Sequence, residues 1–457
     1  MFDLKLINGQ VVRETGPERL DVGVQDGTIT EIGPHGSLGP AREEINATGL
    51  VVLPGVIDIH FHCRAPANPE RGDFNSETAA AVAGGVTTVF EMPISLPACS
   101  TPAVLANRRS VAEAQGIHAN VALYSGGVLG SEQAAEAMAA AGAIGFKIFT
   151  ISPPPDRGTE FDGLWTCEES EMLEALEAIR PTGLRCVIHA ENESLVKYYA
   201  TESSNGVTRR PPVVEALAIS VIATIAASVG TPVHIAHVTS REAVDAVRGA
   251  RVGGAPITAE TCPQYLTLNA QTVEAYGGIA KIGPPLRPVE HAAALWAAIA
   301  DGTLDVVASD HSPFRLADKT GMEFAKASMG LPTIELLVPV VLDAAVRGVL
   351  TLTQAVNLLT ASPARMFGLY PQKGTIEVGS DADLTIVSLA ETFQPSPETL
   401  HSRAAELAVV FTELTPHARV QTTIVDGSVV YANRELRGEP RGKFVAGSGA
   451  TTSARAR

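Results

Sequence analysis

The sequence predicts an α/β fold, a TIM-type (β/α)8 barrel carrying a small β-sandwich domain built from both chain termini. Two observations predict the barrel: eight short apolar runs between residues 56 and 310, and alanine-rich helical segments alternating with them. A third, β-like texture concentrated at the two ends of the chain, predicts the sandwich.

The first run is VIDIHFH, starting at Val56, followed by VTTVFEM, NVALYS, IGFKIFT, RCVIHAE, PVHIAHV, PITAETC and LDVVASD, which ends at Asp310. Most are near-continuously apolar, the pattern of parallel strands buried on both faces. Between them lie SETAAAVAGG, SEQAAEAMAAAG, EESEMLEALEAI, SREAVDAVRGA and HAAALWAAIADG, which have helical periodicity and often end in glycine. Eight such units close a barrel, expected over residues 53–370; an open doubly wound sheet would give a similar strand count. Before it, DLKLI, LDVGVQ and TITEIG are short and separated by Gly, Asn and Pro turns, and KGTIEVGSDADLTIVSL and VQTTIVDGSVVYA repeat that texture after Tyr370. Residues 1–52 and 371–440 are therefore expected to form one composite sandwich. Residues 441–457, rich in Gly, Ser, Thr and Arg, are expected to be a disordered tail.

With 50 acidic against 34 basic residues the net charge is −16, which argues against nucleic acid or an anionic membrane as partner and favours a small molecule. The opening MFDLKLINGQ carries an acid and breaks at Asn8-Gly9, unlike a secretory signal, so a cytoplasmic location is expected. The five cysteines are odd in number and lack CxxC spacing, which indicates neither a disulfide framework nor a thiolate zinc site. The uncharged stretch from Ala216 to Thr239 is interrupted by Gly230, Pro232, His234 and His237. It leaves too short an apolar core for a membrane span and reads as a buried helix followed by a buried strand.

In a barrel of this type the active site lies where the strands end, so polar residues at those ends are the candidates. His60 and His62 close the first run, and their i, i+2 spacing points both imidazoles to one face of a strand. Lys147 lies on the fourth run, His189 on the fifth, His237 on the sixth, and Asp310 ends the eighth. Four imidazoles and a carboxylate suit a borderline divalent ion, zinc first, with cobalt, manganese or iron as alternatives. Lys147 sits inside an apolar strand, where burying an ammonium is costly. It either pairs with a buried carboxylate or is carboxylated by carbon dioxide to a carbamate that can bridge two metal ions. His234 reads as a histidine bonded to a carbonyl, and His35, His118, His291, His401 and His417 are read as structural.

With these residues assembled, the sequence resembles the amidohydrolase superfamily, in its cyclic-amide branch of hydantoinases, dihydropyrimidinases, allantoinases and dihydroorotases. The resemblance covers nearly the whole chain, through LVVLPGVIDIHFH, AAAVAGGVTTVFEMP, GAIGFKIF, VIHAEN, HIAHVTSREAV, ETCPQYL, GPPLR, ASDHSPF and YPQKGTIEVGSDADLTIV, in order. It implies that His60 and His62 hold one metal ion, His189 and His237 a second, and carboxylated Lys147 bridges them. Asp310 then binds metal and shuttles the proton. Hydroxide bridging the two ions would attack the amide carbonyl and open the ring to an N-carbamoyl or ureido acid. A homodimer or homotetramer is implied by the resemblance alone. An inactive scaffold of the same fold is the contrasting reading, and matching ligands at all six positions argue against it.

Arg64, two residues after His62, matches the dihydroorotase arginine that grips the substrate carboxylate; its alternative is a salt bridge to a nearby acid such as Glu70 or Asp73. Ile94 in EMPIS and Phe314 in DHSPF stand where dihydroorotases usually carry asparagine and histidine. EMPIS, ALYSGGVLG and YPQKGTIEVGSDADL look most like L-type hydantoinases and allantoinase-like enzymes, although the tyrosine many hydantoinases place after the bridging lysine is absent. A 5-substituted hydantoin or allantoin is the expected substrate, dihydroorotate the runner-up.

Overall fold

The computed structural model describes residues 1–154, 157–202 and 210–451. Its eight sequence runs become one parallel barrel. β6 (Val56–Phe61), β7 (Val86–Glu91) and β8 (Asn120–Leu123) pair in order, and β9 (Ser125–Gly126), β10 (Phe146–Phe149), β11 (Cys186–His189), β12 (Val233–Ile235), β13 (Ile257–Thr261) and β14 (Val306–Val307) continue the circuit. The third run breaks at Tyr124 into β8 and β9, and the amide of Ile144 donating to the Leu123 carbonyl (2.9 Å) carries the pairing across the break. Beyond β14 the ring closes where the amide of His62 donates to the His311 carbonyl (2.8 Å).

The strands are apolar on both sides for two different reasons. Ile57, Ile59, Phe90, Met92, Ala122, Tyr124, Val187 and Val306 fill the interior, so the barrel is a packed core. Their outward neighbours pack against the helical ring. Asp73, Thr101, Ser131 and Ser240 cap the helices Phe74–Ala83, Pro102–Gln115, Glu132–Ala140 and Arg241–Val252, ending the loops that leave four strand ends.

Both termini supply the second layer. β1 (Phe2–Arg13), β2 (Gly16–Gln25), β3 (Thr28–Pro34), β4 (Ala41–Asn46) and β5 (Val51–Pro54) join β15 (Leu384–Ser388), β16 (Arg419–Val425), β17 (Ser428–Ala432) and β18 (Glu435–Leu436) in one nine-stranded sheet. The seam is β5 against β15, antiparallel from Val51 opposite Val387 to Pro54 opposite Leu384. Leu4, Leu6, Val22, Ile29, Val52, Leu384 and Ile424 give this sandwich its own core.

Two expectations are corrected. Residues 441–451 are no disordered tail: the amide of Val121 donates to the Lys443 carbonyl (2.9 Å), that of Val445 to Val121 (2.8 Å), and Phe444 bridges Val121 in parallel. Residues 452–457 lie outside the described residues. The helix Pro212–Val229 is long and apolar enough to cross a membrane by length and composition, contrary to the reading of its sequence. It sits in the barrel's outer ring with Val214, Ala218, Ile219, Ile222 and Ala226 buried, and β12 follows it. The cysteines are free thiols, all buried except half-buried Cys167.

Candidate active site

At the carboxyl ends of the strands lies a cavity of about 310 Å³, lined by His60, His62, Arg64, His189, His237 and Asp310 and walled by Ile94, Phe149, Phe161, Ile282, Met329 and Leu331. His60 Nε2 and His62 Nε2 stand 3.3 and 3.5 Å from Asp310 Oδ1, so three donor atoms converge on one point. Opposite, His189 Nδ1 and His237 Nε2 face each other at 2.9 Å. Lys147 does not line the cavity. It is buried beside the imidazoles, and its Nζ has no hydrogen-bond partner among the described residues, which disfavours the buried ion pair.

Burial governs the charges here. It pushes the Lys147 amine down to about 8 against Glu260 and Asp310, and lifts the Asp310 carboxyl to about 8 against Lys147. His60 falls to about 4 through burial and the neighbouring Lys147; His62 and His237 lie well below the usual imidazole range through burial and nearby cations. Neutral imidazoles, with an amine and a carboxyl that both titrate near 8, form a donor set that binds a cation by releasing protons. Three of the residues also sit in the left-handed backbone region, Arg64 (φ 61°), His237 (φ 39°) and Asp310 (φ 47°), a strain found at functional sites.

Behind these groups stands a layer the sequence reading missed. Glu260 accepts from His60 Nδ1 (2.5 Å) and His234 Nε2 (3.1 Å), and its carboxyl is held below the usual range, against burial, by both imidazoles. His234 thus bonds a carboxylate, not a carbonyl, and its Nδ1 meets Thr258 Oγ1 at 2.8 Å. Glu191 contacts His189 Nε2 (2.7 Å) and Arg210 (2.9 Å), and against burial Arg210 and His189 hold it down at about 2. Asp58 accepts from Ser309, and burial raises it to about 7. His311 pairs with buried Glu77 at 2.9 Å and stacks on Phe61. The available signal was an acid inside an apolar run, as in PITAETC and VIDIHFH. His35, His291, His401 and His417 bond Asp21, the Arg241 amide, Glu335 and Asp343, and His118 lies against Asn75; none joins the cavity.

Arg64 enters the cavity and pairs with neither Glu70 nor Asp73. Its Nη2 donates to Ser312 Oγ (3.0 Å), its guanidinium lies 4.8 Å from the Phe314 ring centroid, and Asp73 instead takes Arg403 (2.7 Å). The carboxylate facing it is Glu160, with Oε2 3.9 Å from Nη1.

The model of the amidohydrolase family matches residues 51–430, spanning every barrel strand and donor just described. The chain belongs to that family. Over 454 residues this amidohydrolase is 35% identical to an allantoinase of Rubrobacter xylanophilus, with 97% of both chains covered. It is 32% identical over 401 residues to an L-hydantoinase of Paenarthrobacter aurescens, covering 85% of this chain and 86% of the relative. Among solved structures, an L-hydantoinase from Arthrobacter aurescens superposes with a TM-score of 0.91 at 30% identity, covering 98% of this chain and 100% of that one.

Proposed function

We propose that this amidohydrolase opens a hydantoin-like ring, a 5-substituted hydantoin or allantoin, to the N-carbamoyl or ureido acid. One observation carries the reading: His60, His62, His189, His237 and Asp310 share one cavity with an apolar wall that includes Ile94, Phe149, Phe161 and Ile282 and with the guanidinium groups of Arg64, Arg157 and Arg210, a mixed lining suited to a small polar ring with a substituent. The relatives named allantoinase and L-hydantoinase support it.

The donors fit two divalent ions, zinc first. His60, His62 and Asp310 would hold one, and His189 Nδ1 with His237 Nε2 the other. Lys147, whose buried Nζ lacks a partner among the described residues, would join both as a carbamate. When bound, such a pair supplies a Lewis acid for the amide carbonyl and makes water acidic enough to ionise near neutral pH. The chain's own groups do the rest. Glu260 fixes the His60 tautomer by accepting from Nδ1, leaving Nε2 as the free donor atom. Asp310 accepts the nucleophile's proton and returns it to the ring nitrogen as the C–N bond breaks. Ile94, Phe149 and Phe161 exclude water from the substituent's side.

A second reading, a dihydroorotase, has one observation in its favour: Arg64 Nε and Nη1 are buried without a hydrogen-bond partner among the described residues, as a carboxylate seat would be. The test is kcat/KM for allantoin, a 5-substituted hydantoin, dihydrouracil and dihydroorotate, on wild type and Arg64→Ala reconstituted with zinc. Turnover of the neutral five-membered rings by both proteins is expected. Turnover of dihydroorotate alone, lost in the variant, would overturn the first reading, and a protein without stoichiometric metal or metal-restored activity would overturn both.

A further inference from the structure

We infer that Glu160 determines which ring substituents the cavity accepts, as a built-in counter-ion that screens Arg64 and selects neutral substituents over carboxylates. The inference rests on the ring-opening reading and names the substrate subclass within it.

Arg64 is fixed in place. Its amide donates to Glu91 Oε1 (3.1 Å), Nη2 donates to Ser312 Oγ (3.0 Å), and the guanidinium lies 4.8 Å from the Phe314 ring centroid. Two guanidinium nitrogens, Nε and Nη1, keep no hydrogen-bond partner among the described residues. Taken alone, a buried guanidinium with unused donors is a seat for a carboxylate.

Glu160 changes that seat. Its Oε2 lies 3.9 Å from Arg64 Nη1, inside ion-pair range but too far for a hydrogen bond. It does not close the gap because Arg157 grips both oxygens, Nε to Oε1 at 2.9 Å and Nη2 to Oε2 at 2.5 Å. The short turn carrying Glu160, Gly158–Phe161, is anchored by Phe161, which packs on Phe149 with centroids 5.3 Å apart at the cavity wall. The carboxylate is therefore held beside Arg64 rather than on it.

Charge decides the consequence. A substrate carboxylate approaching Arg64 meets the like charge of Glu160, offset only in part by Arg157, in a partly dehydrated space where such juxtaposition is unfavourable. A neutral carbonyl, as in a ureido group, can accept from the unused Arg64 donors without that repulsion. Arg71, near the same Phe314 ring, shares Asp318 (3.0 Å) with Arg315 (2.8 Å); Arg157, which lines the cavity, is matched by Glu160 itself, and Arg210 by Glu191 (2.9 Å).

The experiment compares hydantoin-5-acetate with 5-methylhydantoin on the zinc-loaded enzyme and follows the ratio of their kcat/KM values. Glu160→Gln is expected to raise the acid-to-neutral ratio about tenfold, and adding Arg64→Ala to cancel the gain. Arg157→Gln, which frees Glu160 to close on Arg64, is expected to lower the ratio about threefold. An unchanged ratio in Glu160→Gln overturns the inference. So do shifts of the same sign in Glu160→Gln and Arg157→Gln, the signature of a merely loosened turn. If the wild type opens no cyclic amide, the ring-opening reading fails by itself. The role of Glu160 is then decided by calorimetric affinities for orotate and uracil, which differ by one carboxylate: a rise of about tenfold in the orotate-to-uracil affinity ratio in Glu160→Gln supports it, and an unchanged ratio overturns it.

Discussion

At the scale of single residues, the donors were legible in the sequence because each is a polar group near the end of an apolar run or, for Lys147, inside one, a placement packing alone does not favour. Their supports were not. Glu260 reaches His60 across 200 positions of chain, a contact set by the order in which strands close the ring and invisible to local spacing. The two kinds of residue have different expected losses. Asp310→Asn removes the proposed proton carrier, and kcat is expected to fall by roughly 10²–10⁴-fold. Glu260→Gln acts through His60, and the loss expected is in metal affinity, roughly 10–100-fold in metal-buffered titrations. Equal affinity in Glu260→Gln and wild type would sink the positioning role.

At the scale of elements, the eight runs were readable because strands buried on both faces are apolar throughout. The segment 441–451 was misread because the glycines that suggest disorder are what allow it to dock. A Cβ on Gly442 would lie 2.0 Å from the Ala119 carbonyl oxygen, and one on Gly447 2.1 Å from that of Ala143, so the strap approaches the barrel closer than any side chain permits. Phe444, with Arg109 4.5 Å from its ring centroid, then anchors the strap. Gly442→Ala is expected to release it. Limited proteolysis would show cleavage beyond residue 438 at low protease in the variant and protection in the wild type, and identical patterns would remove the close-approach explanation.

At the scale of the whole molecule, the chain buries a cluster of ionisable groups at the barrel mouth, and their effects on stability oppose one another. In the metal-free protein, His60 titrates near 4 rather than 6.5, so the unfolded chain binds more protons there and stability falls as pH drops through that window. Glu91, whose side chain accepts the Cys63 amide at 2.8 Å and the Arg64 amide at 3.1 Å, does the reverse. Burial lifts it from 4.5 to about 7 despite those bonds, so between those values the folded protein holds a proton the unfolded chain has released, and stability falls as pH rises. The two slopes partly cancel, and a shallow pH dependence of the wild type would conceal both. Glu91→Gln keeps the shape and deletes one slope. Relative to wild type, its unfolding free energy, followed through the urea midpoint in chelator, is expected to gain with rising pH by up to about 1.4 kcal/mol per unit between pH 4.5 and 7. Curves that stay parallel across that window would mean that Glu91 remains ionised in the fold. The carboxylate behind Arg64 would then be a permanent charge, adding to Glu160 in screening the guanidinium.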